Sequence, residues 1–120
     1  MYLIKDLMTS PAISVDIQAT VEAAAKLMCE KKISSLLVKQ EEEYVGIITK
    51  TDLVKRIVAN GLDPKTTAVN FVMSKPLKVL DQFIDPVEAN EFMLRNKIKH
   101  LVVTLKGKVQ GVMTAKDMVS

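Results

Sequence analysis

One pattern of hydrophobic and polar positions runs along the chain twice. The pattern of residues 6–54 recurs at residues 71–119, 65 positions later and without a gap. The identical pairs include Met8 and Met73, Gly46 and Gly111, and Asp52 and Asp117. A repeat fixes the unit of folding, and a unit of about 50 residues buries a poor core alone. The sequence therefore predicts two copies of one fold that pack face to face, related by a pseudo-twofold axis, with any cleft at their seam present twice.

Each copy is predicted to run strand, helix, strand, strand, helix (βαββα). An extended segment at residues 12–15 precedes a helix that Thr20 caps. In the second copy Asp85 and Pro86 mark the start of the corresponding helix. The apolar stripe of the first helix is predicted at Val21, Ala24, Ala25 and Met28. Buried strands are predicted at residues 36–38 and 101–103, each followed by a second strand at 44–48 and 109–113.

The turns and the last helix of each copy are less regular in sequence. Gly107 serves the turn of the second copy, whereas residues 40–43 contain no glycine and predict a longer or looser turn. A helix is predicted over residues 52–60, with Gly61 as its stop signal. We expect a dimer contact on the exposed apolar residues of this helix and their counterparts in the second copy, which are Leu53, Ile57, Val58, Met118 and Val119.

The predicted organisation is one domain made of two repeats. The first repeat is assigned to residues 1–60, the linker to 61–69 and the second repeat to 70–120. Short strands that alternate with helices indicate an α/β (α+β) fold with two small sheets.

Composition indicates a globular protein. The 120 residues are 48% hydrophobic and 26% charged. The first residues do not form a secretory signal, and no apolar run reaches the length of a membrane span. Because Cys29 is the single cysteine, no internal disulfide is expected, and the cytoplasm is the default location.

The charge pattern does not favour a nucleic-acid-binding surface. The net charge is +3, lysines alternate with acidic residues, tryptophan is absent and aromatic residues are 4%. The chain therefore has few aromatic residues on which bases could stack and no continuous run of basic residues.

A strand that runs directly into a helix is the most specific motif. It is Gly-Ile-Ile-Thr-Lys-Thr-Asp at residues 46–52 and Gly-Val-Met-Thr-Ala-Lys-Asp at residues 111–117. The first amides of such a helix favour phosphate, and the aspartate could accept both hydroxyls of a ribose. The same Thr-x-x-Asp spacing also fits a capping box, and both interpretations stay open.

The repeated pattern resembles the cystathionine β-synthase (CBS) domain. The matching segments are Met-Thr-Ser-Pro at 8–11 with Met-Ser-Lys-Pro at 73–76, the helices at 24–28 and 89–93, the strands at 33–38 and 98–103, and the two Thr-x-x-Asp motifs. Two motifs in tandem resemble a CBS pair, or Bateman module, over nearly the whole chain. The family commonly has proline where this chain has Leu37 and Val102, which we expect to alter a turn or a strand edge and not the site.

The resemblance implies two repeats packed through their small sheets, further association into homodimers, and two clefts that bind AMP, ADP, ATP or S-adenosylmethionine. No cofactor or metal is implied. Carried over by position, one cleft would use Ile13, Ile33, Val112, Thr114, Asp117, Lys99, His100 and Lys116. The mirror cleft would use Lys78, Ile98, Ile47, Thr49, Thr51 and Asp52, with Ser34 and Ser35 at the positions of Lys99 and His100.

The two clefts differ in charge. Serines cannot supply the charge of Lys99 and His100, so the cleft closed by Asp117 is expected to bind an anionic nucleotide more tightly than the cleft closed by Asp52. A structural role for the lone histidine is weighed equally with a binding role.

The predicted function is a regulatory ligand-binding module that signals through its dimer or through a separate effector protein. The alternatives are a dimerisation or scaffold module without ligand and, less favoured, a nucleic-acid-binding regulator. We do not expect an enzyme, because the sequence offers no nucleophile–base pair and has one histidine.

Overall fold

Two compact units make up the computed structural model, which describes residues 2–118. The continuous unit is Ile13–Leu77, and the discontinuous unit combines Met1–Ala12 with Lys78–Ser120. The lead-in to each repeat therefore folds with the other repeat: residues 2–12 join the second repeat, and residues 71–77 join the first. This exchange of lead-in segments has no counterpart in the hydrophobic pattern.

The continuous unit contains one three-stranded sheet. Its elements are β1 (Ser14–Asp16), α1 (Val21–Lys31), β2 (Ser35–Gln40), β3 (Glu43–Thr49), α2 (Lys50–Asp52) with a π-helical continuation (Leu53–Val58), and a 3₁₀ turn (Val69–Phe71). The strand order is β1-β2-β3, in which β1 is parallel and β3 antiparallel to the central strand.

The discontinuous unit repeats this arrangement. Its elements are a 3₁₀ turn (Ile4–Asp6), β4 (Val79–Asp81), α3 (Pro86–Asn96), β5 (His100–Leu105), β6 (Lys108–Thr114) and a 3₁₀ turn (Ala115–Met118). The strand order is β4-β5-β6 with the same directions. The predicted α+β class with two small sheets is confirmed, whereas the packing of one sheet on the other stays a prediction.

The two long helices begin as their sequences predict. The Thr20 hydroxyl accepts a hydrogen bond from the Ala23 amide at 3.1 Å, and the Asp85 carboxylate accepts one from the Glu88 amide at 3.0 Å. Each helix ends at a lysine in the left-handed conformation, Lys32 in the first copy and Lys97 in the second. These caps satisfy backbone groups that a helix leaves unpaired at its ends.

Each unit has its own hydrophobic core. The core of the continuous unit is formed by Val21, Ala24, Met28, Leu36, Val38, Ile48, Ile57, Val69, Val72 and Met73. The core of the discontinuous unit is formed by Ile4, Ala89, Met93, Leu101, Val103 and Met113. Both lead-ins contribute, since Met73 and Ile4 come from exchanged segments. Full burial of a side chain of this size contributes about 1.5–3 kcal/mol.

The turn at residues 40–43 is not longer than its counterpart, so that prediction was wrong. Gln40 pairs with Glu43 across a two-residue turn, as Leu105 pairs with Lys108. Glu41 has a positive φ of 57°, as its counterpart Lys106 has at 52°, so a residue other than glycine occupies the left-handed conformation in both turns.

The predicted dimer contact on the helical segment after β3 was also wrong in part. Ile57 is 3% exposed and belongs to the core, and Leu53 packs against that core. The exposed apolar residues are Val54 and Val58, at 61% and 74%. Val119, the counterpart expected in the second copy, lies outside the described residues.

Leu37 and Val102 lie in the central strands and not at a turn or an edge, which corrects a further expectation. The Leu37 amide donates to the Ile13 carbonyl at 3.0 Å, and the Val102 amide donates to the Lys78 carbonyl at 3.1 Å. A proline has no amide hydrogen and could not make either bond. Leucine and valine therefore extend the pairing of β1 with β2 and of β4 with β5 at positions where the family commonly has proline.

Candidate functional site

The first Thr-x-x-Asp motif forms a complete capping box where β3 runs into α2. The Thr49 amide and hydroxyl donate to Oδ2 of Asp52 at 2.9 and 3.1 Å, and the Asp52 amide donates back to the Thr49 hydroxyl at 3.3 Å. Asp52 is 8% exposed. The capping interpretation of the motif is thus realised here, with one carboxylate oxygen committed to Thr49.

The second motif has the same geometry at the end of β6. The Thr114 amide and hydroxyl donate to Oδ2 of Asp117 at 2.8 and 3.1 Å. Asp117 is half-buried. Both boxes hold the aspartate at a fixed position beside the end of a strand, which is compatible with capping and with binding of a ligand hydroxyl by the second oxygen, Oδ1.

Several of the helix-start amides that were expected to favour phosphate already have partners. The Lys50 amide donates to the Ser34 carbonyl at 3.0 Å, and the Asp52 amide is taken by Thr49. In the second copy the Ala115 amide donates to the Lys99 carbonyl at 2.9 Å. These three amides are therefore not free to bind a phosphate group.

The start of β5 brings basic side chains to the second motif. His100 pairs with Thr114 in the sheet, and the Lys99 carbonyl is bonded to the residue after Thr114. Lys99 and Lys116 are exposed, and His100 is half-buried. The backbone of the discontinuous unit thus brings Lys99 and His100 next to the segment that contains Thr114, Lys116 and Asp117.

The start of β2 places serines at the first motif. Ser35 pairs with Thr49 in the sheet, and the Ser34 carbonyl bonds the Lys50 amide. Thr51 and Lys50 are exposed. The expected charge difference is therefore present at the starts of β2 and β5, since Ser34 and Ser35 occupy the positions that Lys99 and His100 occupy in the other copy.

The apolar candidates are divided between the units. Ile13, Ile33 and Ile47 lie half-buried in the continuous unit, where Ile13 and Ile33 pack against its core. Ile98 and Val112 lie half-buried in the discontinuous unit. Lys78 is exposed, and its carbonyl accepts a hydrogen bond from the Val102 amide in β5. Whether residues of both units meet at one ligand, as the resemblance implies, stays a prediction.

Arg56 is a residue at the first motif that the sequence interpretation missed. Its Nε lies 3.6 Å from Oδ1 of Asp52, the oxygen that Thr49 does not use. Its Nη1 donates to the carbonyls of Val72 and Met73 at 3.3 and 3.5 Å. The i,i+4 spacing of aspartate and arginine on a predicted helix was the available signal.

Comparison with known proteins identifies the fold family. A family model described as the CBS domain matches residues 4–59 and again residues 69–120. The chain belongs to the CBS domain family. The predicted tandem CBS pair is thereby confirmed, and CBS pairs are in general regulatory ligand-binding modules.

Solved CBS structures resemble this chain over almost its whole length. A putative signal-transduction protein with CBS domains from Burkholderia ambifaria has a TM-score of 0.91 at 25% identity, covering 98% of this chain and 90% of that one. A hexameric CBS-CP12 protein from bloom-forming cyanobacteria has a TM-score of 0.91 at 30% identity, covering 98% of this chain and 70% of that one.

Several curated relatives are much longer than this chain. The CBS domain-containing protein CBSCBSPB1 of Arabidopsis thaliana is 33% identical over 88% of this chain and 20% of its own length. An inosine-5'-monophosphate dehydrogenase of Korarchaeum cryptofilum is 35% identical over 98% of this chain and 22% of its own length. The chain thus spans about a fifth of each relative, so the similarity concerns their CBS part.

Within residues 2–118 no helix is both long and apolar enough to span a membrane. The same residues contain no group of three or more histidine, cysteine or acidic side chains placed to hold a metal ion.

Proposed function

We propose that this CBS pair is a regulatory module that binds an adenosyl nucleotide, AMP, ADP, ATP or S-adenosylmethionine, at its Thr-x-x-Asp motifs. The observation that carries the proposal is the duplicated box, which presents a fixed aspartate beside a strand end in each unit of a CBS protein. A carboxylate oxygen at a fixed position can accept hydrogen bonds from ribose hydroxyls, and such charge-assisted bonds are the stronger ones.

The motif in the discontinuous unit is proposed as the stronger nucleotide site. Lys99, His100 and Lys116 lie near Asp117 in the sheet register or along the chain, and their side chains could donate hydrogen bonds to phosphate. In the other copy Oδ1 of Asp52 already faces the Arg56 guanidinium at 3.6 Å, so a ribose hydroxyl would compete with it. The ordering of Asp117 over Asp52 thus has support from both charge and carboxylate availability.

Regulation would follow from differential affinity. A ligand shifts a protein between two arrangements only as far as it binds one arrangement better than the other. We propose that the protein acts without catalysis in the cytoplasm, and that its output is self-association as a homodimer or contact with a separate effector protein. The hexameric state named for the cyanobacterial CBS-CP12 protein supports self-association.

Isothermal titration calorimetry tests this proposal. The purified protein is titrated with AMP, ADP, ATP, S-adenosylmethionine and GTP, and with adenosine as an uncharged control. We expect adenine-selective binding that Asp117→Ala weakens about tenfold to a hundredfold, since a hydrogen bond to a charged group contributes about 1.5–3 kcal/mol. Glu91→Gln, a change of the same charge at an exposed helix position, should bind as the wild type does.

Two results would contradict the proposal. Equal losses in Asp52→Ala and Asp117→Ala would refute the ordering of the sites. No heat from any ligand, with a folded protein by circular dichroism, would refute nucleotide binding.

A scaffold without ligand is the second candidate. It is favoured by the boxes themselves, because Thr49 and Asp52 satisfy each other with no ligand involved. Sedimentation of a defined homodimer, unaffected by every nucleotide in the panel, would support this alternative.

A further inference from the structure

Arg56 joins a carboxylate of the candidate site to a distant segment of the continuous unit. Its Nε faces Oδ1 of Asp52 at 3.6 Å, and its Nη1 donates to the carbonyls of Val72 and Met73 at 3.3 and 3.5 Å. The Asp52 side chain is 11% exposed and that of Arg56 48%. A guanidinium is planar and rigid, so one of its nitrogens cannot move without displacing the others.

The segment that Arg56 contacts is also attached to the strand leading into the site. Ser74 exchanges two hydrogen bonds with Ile47, of 2.8 and 3.0 Å, and Ile47 lies two residues before Thr49. Val72 and Met73 are buried in the core of the continuous unit. Residues 72–74 are therefore bonded both to β3 and to Arg56. Ser74 lies three residues before Leu77, where the chain leaves this unit.

We propose that Arg56 is a positioning residue that couples the state of the Asp52 carboxylate to residues 72–77, the segment through which the chain passes from one unit into the other. This inference rests on the proposed function in one respect, namely that a nucleotide is what changes the state of Asp52. A ligand hydroxyl that bonds Oδ1 of Asp52 displaces Nε of Arg56. The guanidinium then shifts against the Val72 and Met73 carbonyls, and the bonds between Ser74 and Ile47 change in stability.

Amide hydrogen exchange measured by NMR tests the coupling without any ligand. In Arg56→Gln we expect the Ser74 and Ile47 amides to exchange about three to five times faster, the range for loss of a partly exposed charged contact. The Thr9 and Val112 amides, which form the same pair of bonds in the discontinuous unit, should keep their rates. Lys55→Gln is the matched control, because it removes the same charge from the neighbouring exposed residue.

A double-mutant comparison shows whether Arg56 acts through Asp52. Asp52→Asn should also speed exchange at Ser74, and the double variant should exchange no faster than Arg56→Gln alone, because the two changes break one connection. Additive effects of the two changes, or equal exchange at Ser74 in Arg56→Gln and Lys55→Gln, would overturn the proposal.

Exchange measurements with AMP separate this inference from the proposed function. In an Asp117→Ala background, where Asp52 is the remaining site, saturating AMP should alter exchange at Ser74, and adding Arg56→Gln should abolish that response while calorimetry still detects binding. Binding of AMP without a response at Ser74, or no AMP binding in this background, would overturn regulation through Arg56. If the wild type binds no nucleotide at all, the proposed function fails, and the ligand-free exchange rates alone decide whether Arg56 couples Asp52 to the segment.

Discussion

Replacing the glycine before each Thr-x-x-Asp motif by alanine should destabilise the protein more in the second copy than in the first. A Cβ at Gly111 would overlap the backbone carbonyl oxygen of Thr9 and lie 3.1 Å from Sδ of Met8. Thr9 is fixed by two hydrogen bonds with Val112, of 2.8 and 3.1 Å, so its carbonyl cannot retreat without losing them. Gly111→Ala therefore combines overpacking with the loss of this pairing.

The equivalent change at Gly46 meets a softer neighbour. Its Cβ would lie 2.7 Å from Sδ of Met73 and 2.9 Å from the Ser74 carbonyl oxygen. The methionine side chain is flexible and can move aside. The Ser74 carbonyl is held by the Ile47 amide at 3.0 Å, but its overlap with the added Cβ is smaller than that of the Thr9 carbonyl. Overpacking costs about 1–3 kcal/mol. We expect about 1 kcal/mol for Gly46→Ala and about 3 kcal/mol for Gly111→Ala, where a lost hydrogen bond adds about 1 kcal/mol.

Urea unfolding followed by circular dichroism measures both free energies of unfolding from midpoints and slopes. Gly107→Ala is the control, because Gly107 has a positive φ of 79° and open space around its Cβ position. It should cost about 1 kcal/mol from the backbone alone. Equal stabilities of Gly111→Ala and Gly46→Ala, or a Gly111→Ala protein as stable as the wild type, would refute the argument that the exchanged lead-in segment sets the need for glycine.

Three further outcomes are expected. Ile57→Ala should lower the free energy of unfolding by about 2–4 kcal/mol in urea, whereas Val58→Ala, at an exposed position, should change it by less than about 0.5 kcal/mol; similar losses would contradict the burial assigned to the helical segment after β3. Asp85→Ala should cost about 1 kcal/mol by removing the cap of α3, and an unchanged melting temperature would contradict that role. Lys99→Gln should weaken ATP binding in calorimetry more than adenosine binding. Lys106→Gln, in the turn after β5, should change the binding of neither ligand; equal effects of the two lysine changes would contradict a phosphate contact by Lys99.

Most of the secondary structure followed from local chemistry. The cap residues Thr20 and Asp85 mark helix starts in sequence because a side-chain oxygen near the first amides works in any context. The strands around Leu36 and Leu101 were equally visible, since a short continuous apolar run between turns indicates burial on both faces.

The errors arose where tertiary contacts decide the outcome. Ile57 and Val58 are adjacent apolar residues on one helix, and only the position of the core shows that Ile57 is inside. The exchange of lead-in segments is a non-local pairing, which Gly46 and Gly111 permit without encoding a partner. The turn at Glu41 was misjudged because a glutamate adopted the left-handed conformation that glycine usually supplies.

The candidate site was predictable in its residues and not in its internal bonding. The repeated Thr-x-x-Asp spacing identified Asp52 and Asp117, and the charge difference at Lys99 was readable from the aligned copies. The i,i+4 spacing of Asp52 and Arg56 was a signal for their pairing that went unused. The bonds of Arg56 to the Val72 and Met73 carbonyls were not predictable, because they depend on a segment sixteen and more residues away.

Titration of ¹⁵N-labelled protein with AMP, followed by amide chemical shifts, tests the central claim most directly. We expect the first and largest shifts at residues 99–100 and 114–117, with residues 49–52 responding at higher AMP concentration, and no comparable shifts with GMP at the same concentrations. Shifts confined to other parts of the chain, or none at millimolar AMP, would contradict the assignment of the Thr-x-x-Asp motifs as adenosyl-nucleotide sites.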